Sequence, residues 1–385
     1  MRVERRDGTA RRLELHALLC NNILRAGERT DHDVKYLLNT WYAAAHSREL
    51  AAAPLARTLL DQPIVFYRTS NGTATALQDR CPHRFAPLSM GKVHGDELEC
   101  GYHGLRFNCA GACSHNPHGP VPPRAKVRSY PLTERYGFIW LWPGEPARAN
   151  PDLLPVFNFL ADRETYTVLP GYLHVKANYQ LIVDNLLDLS HALFVHPHFA
   201  IPGQSIAEQL AAIKTKTTTE GNTVTAWRMR KSVPPNGPTQ QIFGFGPEPV
   251  DSRAHMHWHA PAVINFDVGS CLAGTPESAG LCIPQAHLIS PETQLTSHYF
   301  FAAARNMRRD DPAAGQELYN LLDLAFRHQD EPMIEAAQRN MGETGDLESL
   351  EPILLRTDGA PVAARRVLQR LIAEEQGTFD VSSVA

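Results

Sequence analysis

Two mixed pairs of soft metal ligands stand close together in the chain, Cys81-x-His83 and Cys100-x-x-His103. They lie within the stretch CPHRFAPLSMGKVHGDELECGYHG. Two thiolates and two imidazoles in this order form two pincers that can hold the two irons of a [2Fe–2S] cluster of the Rieske kind. Two cysteines take one iron and two histidines the other, and neutral imidazole in place of thiolate raises the reduction potential. A tetrahedral zinc site uses the same four residues. Zinc pincers, however, usually pair like with like, whereas each pincer here mixes Cys and His. The small residues Pro82, Gly101 and Gly104 suit tight loops wrapped around a cluster.

A second constellation lies at DNLLDLSHALFVHPHF, residues 184–199. Asn185, Asp188 and His191 step by three, which puts them on one face of a helix. His196 follows His191 by five, roughly 140° further round an ideal helix. The helix must therefore end or distort between the two histidines, as a π-type irregularity could do, if both are to face one metal. Pro197 agrees with a helix end there. Two histidines and a distant carboxylate make the facial triad of non-haem iron oxygenases, which leaves positions open for dioxygen and water. On spacing alone a histidine pair is more often structural. Beside an electron-transfer cluster, a redox acceptor is what the chain needs.

The elements that must position these groups follow from pattern and punctuation. Tyr36–Ala45 opens the globular body, and short strands are predicted at Thr58–Leu60, Pro63–Tyr67 and Thr75–Gln78, with turn residues between them. After the cluster motif comes a Gly- and Pro-rich loop, then a strand pair near Val127–Tyr130 and Gly137–Trp142. From Pro151 the texture changes. Leu173–Val195 reads as a strand running into a helix, and 213–300 alternates like strands (TVTAWRMR, AVINFDVG, SHYFFAAAR). Residues 312–340 and 361–375 have helical composition and period. The expected class is α+β: an N-terminal all-β cluster domain, then a catalytic domain with an antiparallel sheet covered by helices. The expected boundaries are 1–34 for a flexible extension, 35–148 for the cluster domain and 149–385 for the mononuclear iron domain.

Composition narrows the function classes. A chain of 385 residues with 43% hydrophobic and 20% charged residues can bury a large core. A net charge of −4 gives no electrostatic footprint for nucleic acid, and no apolar run reaches membrane-spanning length. Beyond Cys81 and Cys100, the cysteines Cys20, Cys109, Cys113, Cys271 and Cys282 are odd in number and scattered, as in reduced cytoplasmic thiols. Paired arginines near the start faintly suggest a twin-arginine signal, but Glu14, His16, Asn21 and Asn22 interrupt the apolar stretch behind them. Of the other histidines, His255, His257 and His259 alternate in HMHWHAP. They read as one side of a strand that is solvated, lines a pocket for an anionic substrate, or holds a second metal.

Taken together, NTWYAAA, CPHRFAPLS…CGYHGLRF, YPLTERYGFIWLWPG, LIVDNLLDLSHALFVH, SHYFFAAARN and GAPVAARRVLQRLIAEEQ resemble the oxygenase component of Rieske non-haem iron oxygenases. The resemblance is to the branch with vanillate and dicamba O-demethylases, and it spans nearly the whole chain from about Val34. It implies that His191 and His196 are iron ligands and that the third is Asp330 in RHQDEPMIEAAQ, with Asp323, Glu331 and Glu335 as neighbouring competitors. Pro332 departs from the pattern, so Asp330 could instead cap a helix starting beside it. The resemblance further implies that Asp188 bridges His191 to the cluster histidine His103 of a neighbouring subunit in a head-to-tail homotrimer, with Asn185 near the iron. It implies a [2Fe–2S] cluster, mononuclear Fe(II), O2, a separate NAD(P)H-dependent reductase with or without a ferredoxin, and a small aromatic substrate. The implied reaction is O-demethylation of a methoxylated aromatic carboxylate with release of formaldehyde. Ring cis-dihydroxylation, N-demethylation and methyl hydroxylation use the same ligands. An electron carrier of another class would need only the first domain, yet some 230 residues extend beyond it.

Overall fold

The computed structural model describes residues 36–377. The expected extension at 1–34, the paired arginines and Cys20 lie outside the described residues.

Short alternating strands separated by turn residues build the N-terminal part as three small sheets. β1 (Tyr42–His46) pairs with β11 (Phe138–Leu141), which also pairs with β10 (Leu132–Arg135). β2 (Leu55–Leu59), β3 (Gln62–Arg68), β4 (Ala74–Gln78) and β9 (Ser129–Tyr130) form an antiparallel sheet in that order. A third sheet, β5 (Lys92–His94), β6 (Glu97–Glu99), β7 (Arg106–Phe107) and β8 (Cys113–His115), carries the cluster motif in its loops. Between the latter two sheets lies a core of Val65, Tyr67, Leu77, Leu88, Leu98 and Phe107, all buried together with Cys81 and Cys100. The strand expected at Val127–Tyr130 is only two residues long, because Ala125–Val127 pair instead with Gly111–Cys113 and only Ser129–Tyr130 join β4.

The remaining strands make one seven-stranded antiparallel sheet. In spatial order they are β12 (Thr167–Val175), β18 (Ser297–Arg305), β17 (Leu281–Pro291), β16 (Val263–Leu272), β15 (Val250–His259), β14 (Thr223–Val233) and β13 (Ile213–Glu220). β18 is buried at every residue, because it lies inside the sheet with structure on both faces. Trp140, Trp142, Phe138 and Trp41 pack with Phe157, Leu288 and Phe300 in one core that fastens the three-stranded sheet to the large one. Each buried aromatic there contributes about 1.5–3 kcal/mol. Ser290 Oγ donates to the Ala43 carbonyl across that seam at 2.7 Å.

Helices flank this sheet: Tyr179–Leu187, Pro312–Asp323, Glu331–Met341 and Gly359–Glu375. Asn178 caps the first of them, its side chain accepting from the Gln180 N–H. The region predicted helical at 312–340 is not one uniform helix. Its middle, Leu324–Asp330, is a π-helix. Pro332 leaves the helix Glu331–Met341 unbroken: it sits in the first turn, directly after the π-helix, whose last bond runs from the Glu331 N–H to the Phe326 carbonyl. This α+β architecture matches the expected class.

Candidate metal centres and substrate cavity

The cluster motif occupies two facing loops. In the first, Cys81 N–H donates to Ala86 O and Phe85 N–H to Cys81 O; in the second, Cys100 N–H donates to Leu105 O and Gly104 N–H to Cys100 O. The loops approach backbone to backbone: a Cβ on Gly101 would stand 2.8 Å from the Met90 carbonyl oxygen. Cys81 and Cys100 are both 2% exposed, whereas His83 is exposed and His103 half-buried. The two imidazole rings lie 4.5 Å apart, centroid to centroid. Burial pushes the Cys81 thiol up to about 11, and the adjacent Cys100 adds to that rise. Two buried thiols side by side, and two imidazoles side by side at the surface, fit a cluster with one inner and one outer iron. An iron bound to the thiolates would remove the proton that burial favours.

The second centre departs from the predicted helix. Asn185 is within Tyr179–Leu187, but the helix ends there and Asp188 is extended (φ −113°, ψ 92°). Its carboxylate accepts from the Ser190 N–H and Ser190 Oγ, both at 2.9 Å. A short polar side chain that can bond its own backbone two residues on competes with helix, and here it wins. A 3-10 turn, Leu189–His191, and a single α turn, Ala192–Val195, then carry the chain to His196. The spacing called for the helix to end or distort, and it ends; the π irregularity, one form that distortion could take, is absent from that segment. It stands instead at Leu324–Asp330, where it re-aims the last residues.

His191, His196 and Asp330 converge, their ligand atoms all within 4.8 Å of one another. Asp330 Oδ1 lies 3.4 Å from His191 Nε2 and 3.2 Å from His196 Nε2. Asn185 Nδ2 donates to the same oxygen at 3.3 Å. The Asp330 side chain caps nothing, which removes the capping alternative. The competitors are engaged elsewhere: Asp323 pairs with Arg327, and Glu335 accepts from the Lys176 N–H. Glu331 is not among the converging groups.

Both histidines are oriented through Nδ1. His191 Nδ1 donates to the Asp188 main-chain carbonyl at 2.7 Å, and His196 Nδ1 donates to Gln329 Oε1 at 2.7 Å. Each acceptor keeps the proton on Nδ1 and turns the Nε2 lone pair toward Asp330. Two imidazole lone pairs and a carboxylate oxygen facing one another call for a positive charge among them. A divalent cation supplies it, and so does a proton on one ring. Burial lowers His196, but the Asp330 carboxylate and Gln329 outweigh burial and raise it. Burial dominates at His191 and lowers it despite Asp330. The donor set of two imidazoles and one carboxylate suits iron(II).

These groups border a cavity of about 210 Å³, otherwise largely apolar, with Leu186, Met256, Phe266 and Leu322 among its walls. Gln329 and the cavity arginines Arg228 and Arg230 were not read from the sequence. Gln329 adjoins Asp330, which is the signal that was available. His255, His257 and His259 do not gather a metal-binding group among the described residues. His255 packs its ring against Trp227, 4.6 Å away.

Comparison with known proteins agrees with both centres. Residues 40–131 match the Rieske [2Fe-2S] domain, and residues 175–374 match the vanillate O-demethylase oxygenase C-terminal domain. The chain therefore belongs to the Rieske non-haem iron oxygenases. Within them it is 38% identical over 349 residues to a putative toluene-4-sulfonate monooxygenase system iron-sulfur subunit of Comamonas testosteroni, covering 88% of this chain and 98% of that one. It is 35% identical to the oxygenase component of dicamba O-demethylase of Stenotrophomonas maltophilia (87% and 98% covered). It is 33% identical to the vanillate O-demethylase oxygenase subunit of a Pseudomonas species (90% and 98% covered). The structure of dicamba monooxygenase bound to dicamba superposes with a TM-score of 0.80 at 35% identity over 89% of this chain and 99% of that one. The protein is the oxygenase component of a Rieske monooxygenase, with a [2Fe–2S] cluster and a mononuclear iron as its cofactors.

Proposed function

We propose that this chain O-demethylates a methoxylated aromatic carboxylate. Methoxyarene, O2, NAD(P)H and a proton give the phenol, formaldehyde, NAD(P)+ and water. One oxygen atom enters the methyl carbon, and the hemiacetal so formed loses formaldehyde. The observation that supports it best is the convergence of His191, His196 and Asp330 at the wall of a mostly apolar cavity of about 210 Å³, room for a single-ring arene.

In this reading His191, His196 and Asp330 hold the iron, and Cys81, His83, Cys100 and His103 hold the cluster. When bound, the iron supplies dioxygen activation and the cluster supplies electrons drawn from a separate NAD(P)H-dependent reductase, directly or through a ferredoxin. The chain's own residues do the positioning. Gln329 and the Asp188 carbonyl fix the two imidazoles, Asn185 holds the Asp330 carboxylate, and the apolar walls keep water from the reacting carbon. Asp188 would bridge His191 to His103 of a neighbouring subunit in a homotrimer. Phe85, Met90 and Tyr102, at 61%, 78% and 65% exposure around the cluster imidazoles, support a docking face there. No helix among the described residues is long and apolar enough to cross a membrane. The division into an appendage at 1–34, a cluster domain at 35–148 and an iron domain at 149–385 belongs to the same proposal.

The test is product analysis with a reductase, NADH and matched methoxybenzoates, toluates and unsubstituted benzoates. Formaldehyde released in step with NADH use is the expected result. A second reading, hydroxylation of an aryl methyl group, is favoured by the toluene-4-sulfonate relative at 38% identity. A benzyl alcohol product without formaldehyde would establish it instead. A product heavier by two oxygens and two hydrogens would move the reaction to ring dihydroxylation.

A further inference from the structure

The cavity floor is the inner face of β14–β17, where every second residue points the same way. β14 contributes Arg228 and Arg230, and β15 and β16 contribute Ser252 and Ser270. Register places Arg230 opposite Ser252 and Ser252 opposite Ser270, and the two hydroxyls bond at 2.9 Å. A polar row thus crosses three strands at one end of a cavity that is otherwise mostly apolar.

Charge in this row is one-sided. Arg253, next to Ser252 on β15, faces the other side of the sheet, where Asp267 neutralises it at 2.7 Å. Arg228 donates from its guanidinium to the Leu189 main-chain carbonyl and has the Asp188 carboxylate near enough to favour its charge; among the described residues the Arg230 side chain has no hydrogen bond and neither arginine makes an ion pair. Burial disfavours the charge of both guanidiniums, and Arg230 is near enough to disfavour that of Arg228 as well. A cation without a partner beside an apolar cavity, as Arg230 is, is costly unless a ligand brings the counter-charge. Guanidinium is also the side chain best shaped to grip an oxyanion through two parallel N–H bonds.

We propose that Arg228 and Arg230 form an oxyanion clamp for the aromatic substrate, binding its sulfonate or carboxylate group at the polar end of the cavity. The ring then lies along the apolar floor, and the carbon to be oxidised faces His191, His196 and Asp330. That the bound arene is a substrate rests on the oxygenase reading. The clamp itself does not.

The experiment is equilibrium binding, by calorimetry, of benzenesulfonate, benzoate and their neutral isosteres benzenesulfonamide and benzamide to the protein with both metal centres filled. One anion should bind roughly 10- to 100-fold more tightly than its own amide, and whichever anion shows the larger preference identifies the group. Arg230→Met should remove most of that preference while changing amide binding less than about twofold, and Arg230→Lys should restore part of it. Arg228→Met should do the same. Because Arg228 also holds Leu189, iron content is measured in that variant, and Arg230→Met, which breaks no bond, carries the test. Amides binding as tightly as anions, anion affinity unchanged in both methionine variants, or no anion bound at all would each overturn the clamp. Binding needs no turnover. Arginine-dependent binding without formaldehyde from a methoxylated ligand would leave the clamp standing and refute only the demethylation reading.

Discussion

Gln329 offers a sharp test of how the histidines proposed to bind iron are held. Its Oε1 accepts the His196 Nδ1 proton at 2.7 Å, and His196 is 4% exposed, so water cannot easily replace the amide. Gln329→Leu keeps the approximate volume and deletes the acceptor. A buried donor left unpaired costs about 1–3 kcal/mol. The ring can escape that cost by moving its proton to Nε2 or by rotating, and either change withdraws the lone pair that faces Asp330. If the whole penalty falls on the metal-bound form, iron(II) affinity drops roughly 5- to 150-fold, in line with about 10–100-fold for lost partners of metal-bound histidines. The assay is competition for iron(II) against a chelator of known affinity, with the cluster's visible absorption as an internal control. Gln329→Glu supplies an acceptor again and should hold iron at least as well as the native chain. Native affinity in Gln329→Leu would refute the orienting role.

Three further outcomes concern other parts of the molecule. Asp188→Asn should leave cluster and iron both filled yet nearly abolish turnover, if its carboxylate carries the link to a neighbouring subunit; intact NADH-coupled turnover would exclude that role. Arg365, on the helix Gly359–Glu375, pairs with Asp184 and donates to Gln180 at 3.0 Å. Arg365→Met should cost about 1–3 kcal/mol by leaving the partly buried Asp184 carboxylate without its partner, and an unchanged stability in denaturant unfolding would contradict that. Burial depresses His287 to about 3 and His298 to about 4, so their contribution is present above the ordinary value of 6.5 and is lost as pH falls toward those values. Each should remove about 2 kcal/mol of stability between pH 7 and 5. His287→Leu should flatten that decline, and an unchanged slope would show that His287 is not buried neutral.

The legible parts of the molecule were those whose chemistry is contiguous. The four residues proposed as cluster ligands span Cys81–His103, and the loops between strands bring them close together. His191 and His196, the proposed iron ligands, were legible as residues but not in local structure. A spacing of three suggests a helix through Asp188, yet Asp188 prefers to bond the Ser190 N–H and ends it. Asp330 came from resemblance rather than spacing, because the fold supplies it from far along the chain. Gln329 was out of reach for the same reason: it meets His196 across 133 positions, a contact that only the packed helices create. The alternation of TVTAWRMR marks a strand and puts Arg228 and Arg230 on one side. Which side lines a cavity depends on what covers the sheet, and no strand carries that information alone.

The central claim, that a cluster and a separate His191–His196–Asp330 iron share this chain, is tested most directly by metal content in one variant. Native protein reconstituted with iron and sulfide should hold about three irons and two sulfides per chain. Asp330→Ala should hold about two irons with an unchanged cluster spectrum, while Asp323→Ala and Glu335→Ala keep three. An Asp330→Ala protein that retains the third iron would contradict the account.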